Sequence, residues 1–194
     1  MEHFDLQDNC DASVTRGGGH SDAMSFKGYY KFTCLDSNGQ VKWEDDIYNM
    51  VVNTGKQTIM TGYLTNAAQG AVVMGLVGNN GSATTTIALT DTQASHTGWY
   101  EVGAANAPAY SGTRKTPSFG TATSSGSTTT IATSATVTFS MTSSGTVTGA
   151  FINVGGTSAI DNTTGTLFSA GTFTGGSKSV NSGDTLNVSY QLSC

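Results

Sequence analysis

The sequence predicts an all-β fold: a jelly-roll-like β-sandwich with one short helix and an extended N-terminal arm. Val, Ile, Phe, Tyr and Thr recur in short alternating runs, the period-2 pattern of strands that bury one face. In the C-terminal half, Gly- and Ser-rich turns interrupt these runs every ~8–15 residues, the rhythm of a sandwich. Charged residues are only 11% of the chain against a usual value of about 25%, and 25 Gly with many Ser and Thr take their place, as in rigid extracellular and virion β-proteins. A chain of 194 residues can bury one core without metals or disulfides, so the expected organisation is an arm, 1–24, and a single sandwich domain, 25–194.

The arm carries Glu2, Asp5, Asp8, Asp11 and Asp22 but few apolar residues, and Arg16-Gly17-Gly18-Gly19-His20-Ser21 is a hinge by composition. Fully extended, about 24 residues reach at most ~80 Å, enough to lie on a neighbouring subunit. Its candidate partner-binding residues are Phe4, Leu6, Val14 and Arg16. Plain N-terminal disorder fits the same composition.

Order is expected from Ser25. Residues 26–35 alternate aromatic and polar, Asp36-Ser37-Asn38-Gly39 supplies a turn, and residues 40–52 return as the second strand of a hairpin. Glu44, Asp45 and Asp46 lack the alternate-position oxygens and glycine of a calcium loop, and read as a solvated acidic edge. Thr54-Gly55-Lys56-Gln57 matches a capping box opening a helix, with Ile59, Met60, Tyr63 and Leu64 on the face that should plug one end of the sheets and Gly70 as its stop. A phosphate loop is excluded because Met50 and Gln57 stand where that motif needs Gly and Ser or Thr. Residues 71–78 are an apolar run of central-strand character, and 103–108 form a small-residue loop. The runs 128–133, 135–141, 146–154, 165–173 and 185–192 supply the remaining strands, with Val137, Phe139, Leu186, Val188 and Tyr190 inward and Thr and Ser outward.

The stretch 91–102, Asp91-Thr92-Gln93-Ala94-Ser95-His96-Thr97-Gly98-Trp99-Tyr100-Glu101-Val102, concentrates rare residues and invites a catalytic reading. His96 is the one histidine outside the arm, no Gly-x-Ser-x-Gly elbow accompanies it, and Asp91 and Glu101 need not face each other as a glycosidase pair would. No catalytic residue, cofactor or metal ligand is therefore assigned. Trp99 is expected to pack in the core, with a sugar-stacking platform as the sharper alternative. Glu101 and Arg114, rare charges in a nearly neutral body, are expected to form a semi-buried ion pair across neighbouring strands. Trp43, Trp99, Glu101 and Arg114 are the candidate structural anchors. Cys10, Cys34 and Cys194 show no paired spacing and read as free thiols.

The formal net charge of −5 and scattered Lys and Arg give no nucleic-acid surface. No apolar run of about 18 residues marks a membrane span, and Met1-Glu2-His3-Phe4-Asp5 lacks the basic-then-apolar order of a secretory signal, so synthesis in a cytoplasm is expected.

Lys42-Trp43-Glu44-Asp45, Asn49-Met50-Val51-Val52-Asn53-Thr54-Gly55, Met74-Gly75-Leu76, Ala94-Ser95-His96-Thr97-Gly98-Trp99-Tyr100-Glu101 and Tyr110-Ser111-Gly112-Thr113-Arg114 follow one another in an order that resembles a family of small tailed-phage and prophage structural proteins. The likeness continues through Gly149-Ala150-Phe151-Ile152, Gly165-Thr166-Leu167-Phe168-Ser169-Ala170 and Gly183-Asp184-Thr185-Leu186, so it spans roughly residues 28–194. Tyr100 stands where Thr is common in that pattern, and the 103–108 loop and acidic arm depart from it. The resemblance is to capsid decoration, or cement, proteins of jelly-roll type. It implies a virion protein on the capsid surface, with the major capsid protein and further copies of itself, as a homotrimer, for partners. A head-fibre or tail-tip adhesin binding host glycans through Trp99 and Tyr100 is the alternative.

Overall fold

The computed structural model describes residues 25–79 and 85–194. The expected arm, with Phe4, Leu6, Val14 and Arg16, lies outside the described residues. Tyr30, Phe32 and Cys34 of β1 (Lys27–Leu35) point inward and are fully buried, while Lys31 between them is exposed. At the following turn the Asp36 carboxylate accepts the amides of Asn38 (2.8 Å) and Gln40 (2.9 Å), and Gly39 takes φ +78°. β2 (Val41–Val51) returns antiparallel to β1, and its last residues, Met50 and Val51, pair instead with Ala170 and Ser169. One strand thus passes from the first layer of the sandwich into the second.

After α1 (Asn53–Leu64) come β3 (Val72–Gly78), β4 (Tyr100–Val102), β5 (Thr123–Ser125), β6 (Thr128–Ala132), β7 (Val137–Ser140), β8 (Gly145–Val147), β9 (Gly149–Val154), β10 (Thr166–Thr172), β11 (Lys178–Val180) and β12 (Thr185–Ser193). Strand order is β4-β3-β9-β10-β2-β1-β12-β6-β5, with β7 also on β12 and β8–β11 as a separate ribbon. Every pairing is antiparallel. The fold is an all-β sandwich. Tyr30, Phe32, Phe139, Leu186, Val188 and Tyr190 of one layer close on Met74, Leu76, Ala150, Ile152 and Phe168 of the other.

The run 146–154 is two strands. They part at Thr148, whose amide and hydroxyl both donate to the Val77 carbonyl (2.8 and 3.1 Å) while its own carbonyl accepts the Phe173 amide (2.8 Å). β5 and β11, each three residues of Thr, Ser, Lys or Val, were too short for their pattern to be read in the sequence.

The helix forms where expected but with different ends. Val52, whose side chain has no polar atom, is the N-cap, so no side-chain cap bond forms, and the Thr54 hydroxyl donates to the Leu167 carbonyl (2.8 Å). The helix stops at Leu64, and Asn66, not Gly70, takes a positive φ of 51°. Its docking point is a bulge in β10, where Phe168 is the extra residue between Leu167 and Ser169. The Phe168 carbonyl accepts the Val52 amide (3.2 Å), and a Cβ at Gly55 would stand 2.1 Å from that oxygen, so only glycine lets the first turn sit so close.

Candidate functional site

The face of the β4-β3-β9-β10 layer turned away from the core is covered too. The segment 85–101 lies across it, and Val52, Val77, Trp99, Phe151, Leu167 and Ala170 form a second buried cluster there with Ile87 packed against it. Burial on both faces explains why β3 and β9 are near-continuous apolar runs. That continuity was the one sequence signal for this layer.

Within the cover, the conspicuous residues of 91–102 bind one another. Asp91 Oδ2 accepts the Trp99 indole N–H (3.0 Å) and the Ala88 amide (3.0 Å). The His96 ring stacks on Trp99 with centroids 3.8 Å apart and planes 16° off parallel, and its Nδ1 lies 3.1 Å from the Trp99 carbonyl oxygen. Trp99 is 2% exposed and rests on Phe151, so it offers no platform to a sugar. Asp91 and His96 fold a loop onto a tryptophan; they converge on no shared cavity.

Glu101 and Arg114 meet in bidentate geometry, with Nε–Oε1 2.8 Å and Nη2–Oε2 2.6 Å. The pair is fully buried, at 3% and 0% side-chain exposure, where semi-burial was expected. Arg114 also sits outside any strand, so the pair joins β4 to a loop. Two further donors of Arg114 go to the carbonyls of Asn162 (2.7 Å) and Thr157 (3.3 Å), and Glu101 Oε2 accepts the Asp161 amide (2.9 Å). Two charges thereby bind the backbone of the 157–162 loop, and added hydrogen bonds of this kind are what a desolvated pair requires. Gly75 makes the space: a Cβ there would stand 2.4 Å from the Phe151 ring and 3.0 Å from Glu101 Oε1. Beside the pair, Asn153 donates to Gln93 Oε1 (2.9 Å) and the Thr164 carbonyl (3.1 Å), tying the cover to β9. Asn153 and Gln93 were not singled out in the sequence, where nothing marks a buried amide.

Trp43 is half-buried. Its indole donates to the Ser179 carbonyl (2.9 Å) and its ring meets Phe173 edge-on at 5.7 Å, which fastens β11 to β2. The acidic run beside it is partnered rather than merely solvated: Asp45 pairs with Lys178 (2.7 Å), Glu44 accepts the Thr33 hydroxyl (3.0 Å) and Asp46 accepts the Tyr29 hydroxyl. Cys34 and Cys194 are free thiols, buried and exposed respectively. Burial, then the Asp184 carboxylate, pushes the Cys34 thiol up to about 11. Asp184 itself is held by Lys42 (2.7 Å) and the Asn181 amide (2.8 Å).

The opposite chemistry lies beside α1. Of the expected plug face, Ile59 packs against the core, but Met60, Tyr63 and Leu64 are 62%, 89% and 76% exposed, because the helix docks through Gly55 and its first turns and its C-terminal end stands clear. A groove runs between Ser25 and Phe26 on one side and Lys56, Ile59, Met60, Tyr63 and Leu64 on the other. Around the helix a second groove shares Ile59 and Tyr63 and continues to Val72, Val154 and Phe168. A third, reached through those same three residues, opens the mouth of the sandwich at Phe119, Ile131 and Leu192. Apolar surface is therefore continuous from the helix to the sheet ends.

Among the described residues, no helix is long and apolar enough to cross a membrane, and no group of three or more His, Cys, Asp or Glu is placed to hold a metal. No protein-family model matches the chain, and no curated protein or solved structure shows significant similarity to it.

Proposed function

We propose that this chain is a bacteriophage capsid decoration protein, which binds the outer surface of the icosahedral head and stabilises it by bridging neighbouring major capsid subunits. The observation that supports it best is the apolar surface beside α1, left exposed by the described residues, on a sandwich whose rare charged and aromatic residues serve its own architecture. Contiguous exposed apolar patches larger than a few hundred Å² mark interaction sites, and the largest patch on a monomer is often functional. A rigid body with such a surface suits mechanical work. Packaged DNA strains the seams between capsid subunits, and a clamp adding roughly 1,600 Å² per contact gains further from avidity when several copies act together. Residues 1–24 would engage the capsid, and Phe4, Leu6, Val14 and Arg16 are the contacts to test.

The test is co-sedimentation of the purified full chain with heads of its parent phage, alongside a variant lacking residues 1–24. Saturable binding at hundreds of copies per head, abolished by the deletion, is the expected result. A handful of copies confined to the tail would favour an adhesin, and unchanged binding of the deletion variant would refute the role of the N-terminal segment.

A further inference from the structure

We infer that the exposed face of α1 is a two-fold interface, on which a second copy of this chain lays the same helix antiparallel. Beyond the decoration reading, this surface is assigned to self-contact and engagement of the capsid is left to residues 1–24. Met60, Tyr63 and Leu64 stand proud beside the groove walled by Phe26 and Ile59. Knobs next to a hole on one surface are self-complementary under a two-fold axis. The three knobs expose on the order of 400 Å², about half of the ~800 Å² per partner that a stable interface buries, and the groove walls supply more.

Charge selects the direction. Among the described residues lining the groove, Lys56 alone is charged, and it lies near the N-terminal end of α1, where a cation is unfavourable to the helix dipole. The last turn of α1 has no basic residue, and although the Thr61 and Tyr63 carbonyls accept the amides of Thr65 and Asn66, no positive charge offsets the negative end of the helix dipole there. Lys56 and Leu64 are each four residues from Met60. Antiparallel packing centred on Met60 therefore places the Lys56 of each copy against the other copy's helix C-terminus at Leu64, meeting both needs at once. A parallel arrangement would bring the two lysines together. The resulting assembly is a dimer, in place of the trimer expected from the sequence.

The experiment is light scattering on the full-length chain after size exclusion, across a concentration series, and needs no capsid. Wild type is expected at twice the 19.9 kDa of one chain. Leu64→Lys sets two ammonium groups opposite each other and should weaken self-association at least about a hundredfold. Adding Lys56→Glu to Leu64→Lys converts that repulsion into a pair and should restore the dimer to within about tenfold of wild type. Leu64 is solvent-facing and Lys56 half-buried in the groove wall, and an unchanged far-UV spectrum checks that the variants fold. A monomeric wild type overturns the inference, and if removing residues 1–24 then speeds oxidation of Met60, the chain's own N-terminal segment covers the face. Three times the chain mass, or a double variant no better than Leu64→Lys, also overturns it. Dimerisation without head binding would sink the decoration reading and leave this one standing.

Discussion

The cover around Trp99 and the face of α1 handle rare and common residues in opposite ways. In the cover, Asp91, His96, Trp99, Glu101 and Arg114, the residues that look chemical, are consumed by one another and by loop backbone. On the helix, Met60, Tyr63 and Leu64, residues that usually fill cores, face outward. Conspicuous residues therefore mark the inside of this protein, and ordinary apolar ones an exposed face. The physical reason is cost. A buried charge or indole N–H must find partners or be penalised by several kcal/mol, so such residues come with dedicated neighbours, whereas an exposed Leu costs little until a partner removes it from water.

The contrast breaks most sharply at Arg114. Arg114→Met leaves Glu101 buried and unpaired and should lower unfolding stability by about 3–5 kcal/mol in urea denaturation. Combining it with Glu101→Leu should recover part of the loss, because no lone charge remains. A single variant within about 1 kcal/mol of wild type would show that water reaches the site. Gly55→Ala comes next. Its methyl group collides with the Phe168 carbonyl, so a loss of about 1–3 kcal/mol is expected in the same assay, and no loss would mean the helix docks loosely.

On the helix face the expected effect is small. At concentrations too low for self-association, Tyr63→Lys should leave stability within about 0.5 kcal/mol of wild type, as at other exposed positions. A larger loss would place Tyr63 in the fold rather than on a contact surface. Smallest is a titration on the first layer. The hydrogen bond to Asp46, with minor help from burial and charge, pushes the Tyr29 hydroxyl up to about 12. That stabilisation is fully present below the ordinary tyrosine value of about 10 and is lost as pH rises through about 12. Asp46→Asn should bring the Tyr29 transition down toward the ordinary range in alkaline ultraviolet titration, and an unmoved transition would disprove the contact.

Much of the fold was legible because strand alternation is local. Phe32, Phe139, Leu186 and Val188 announce their inward face by period 2 alone, and Asn38-Gly39 announces its turn. Rarity suggested the Glu101–Arg114 pair, since two isolated charges in a neutral body have few other partners. For 91–102 the sequence already lacked a matched nucleophile or a facing carboxylate pair, but that His96 stacks on Trp99 and Trp99 on Phe151 was visible only in the fold.

The sequence by itself determined an all-β chain with one helix near residues 53–64, a first hairpin, the inward residues of β7 and β12 and the residues of the Glu101–Arg114 ion pair. The tertiary structure decided the rest: that β2 serves both layers, that 85–101 buries a second face, that Thr54 spends its hydroxyl on Leu167, and that the apolar half of α1 points away from the sheets. Periodicity reports which residues share a face, because it follows from the repeat of one element. It carries no information about what that face meets, which depends on bulges, glycine-sized gaps and crossings contributed by residues far away in sequence.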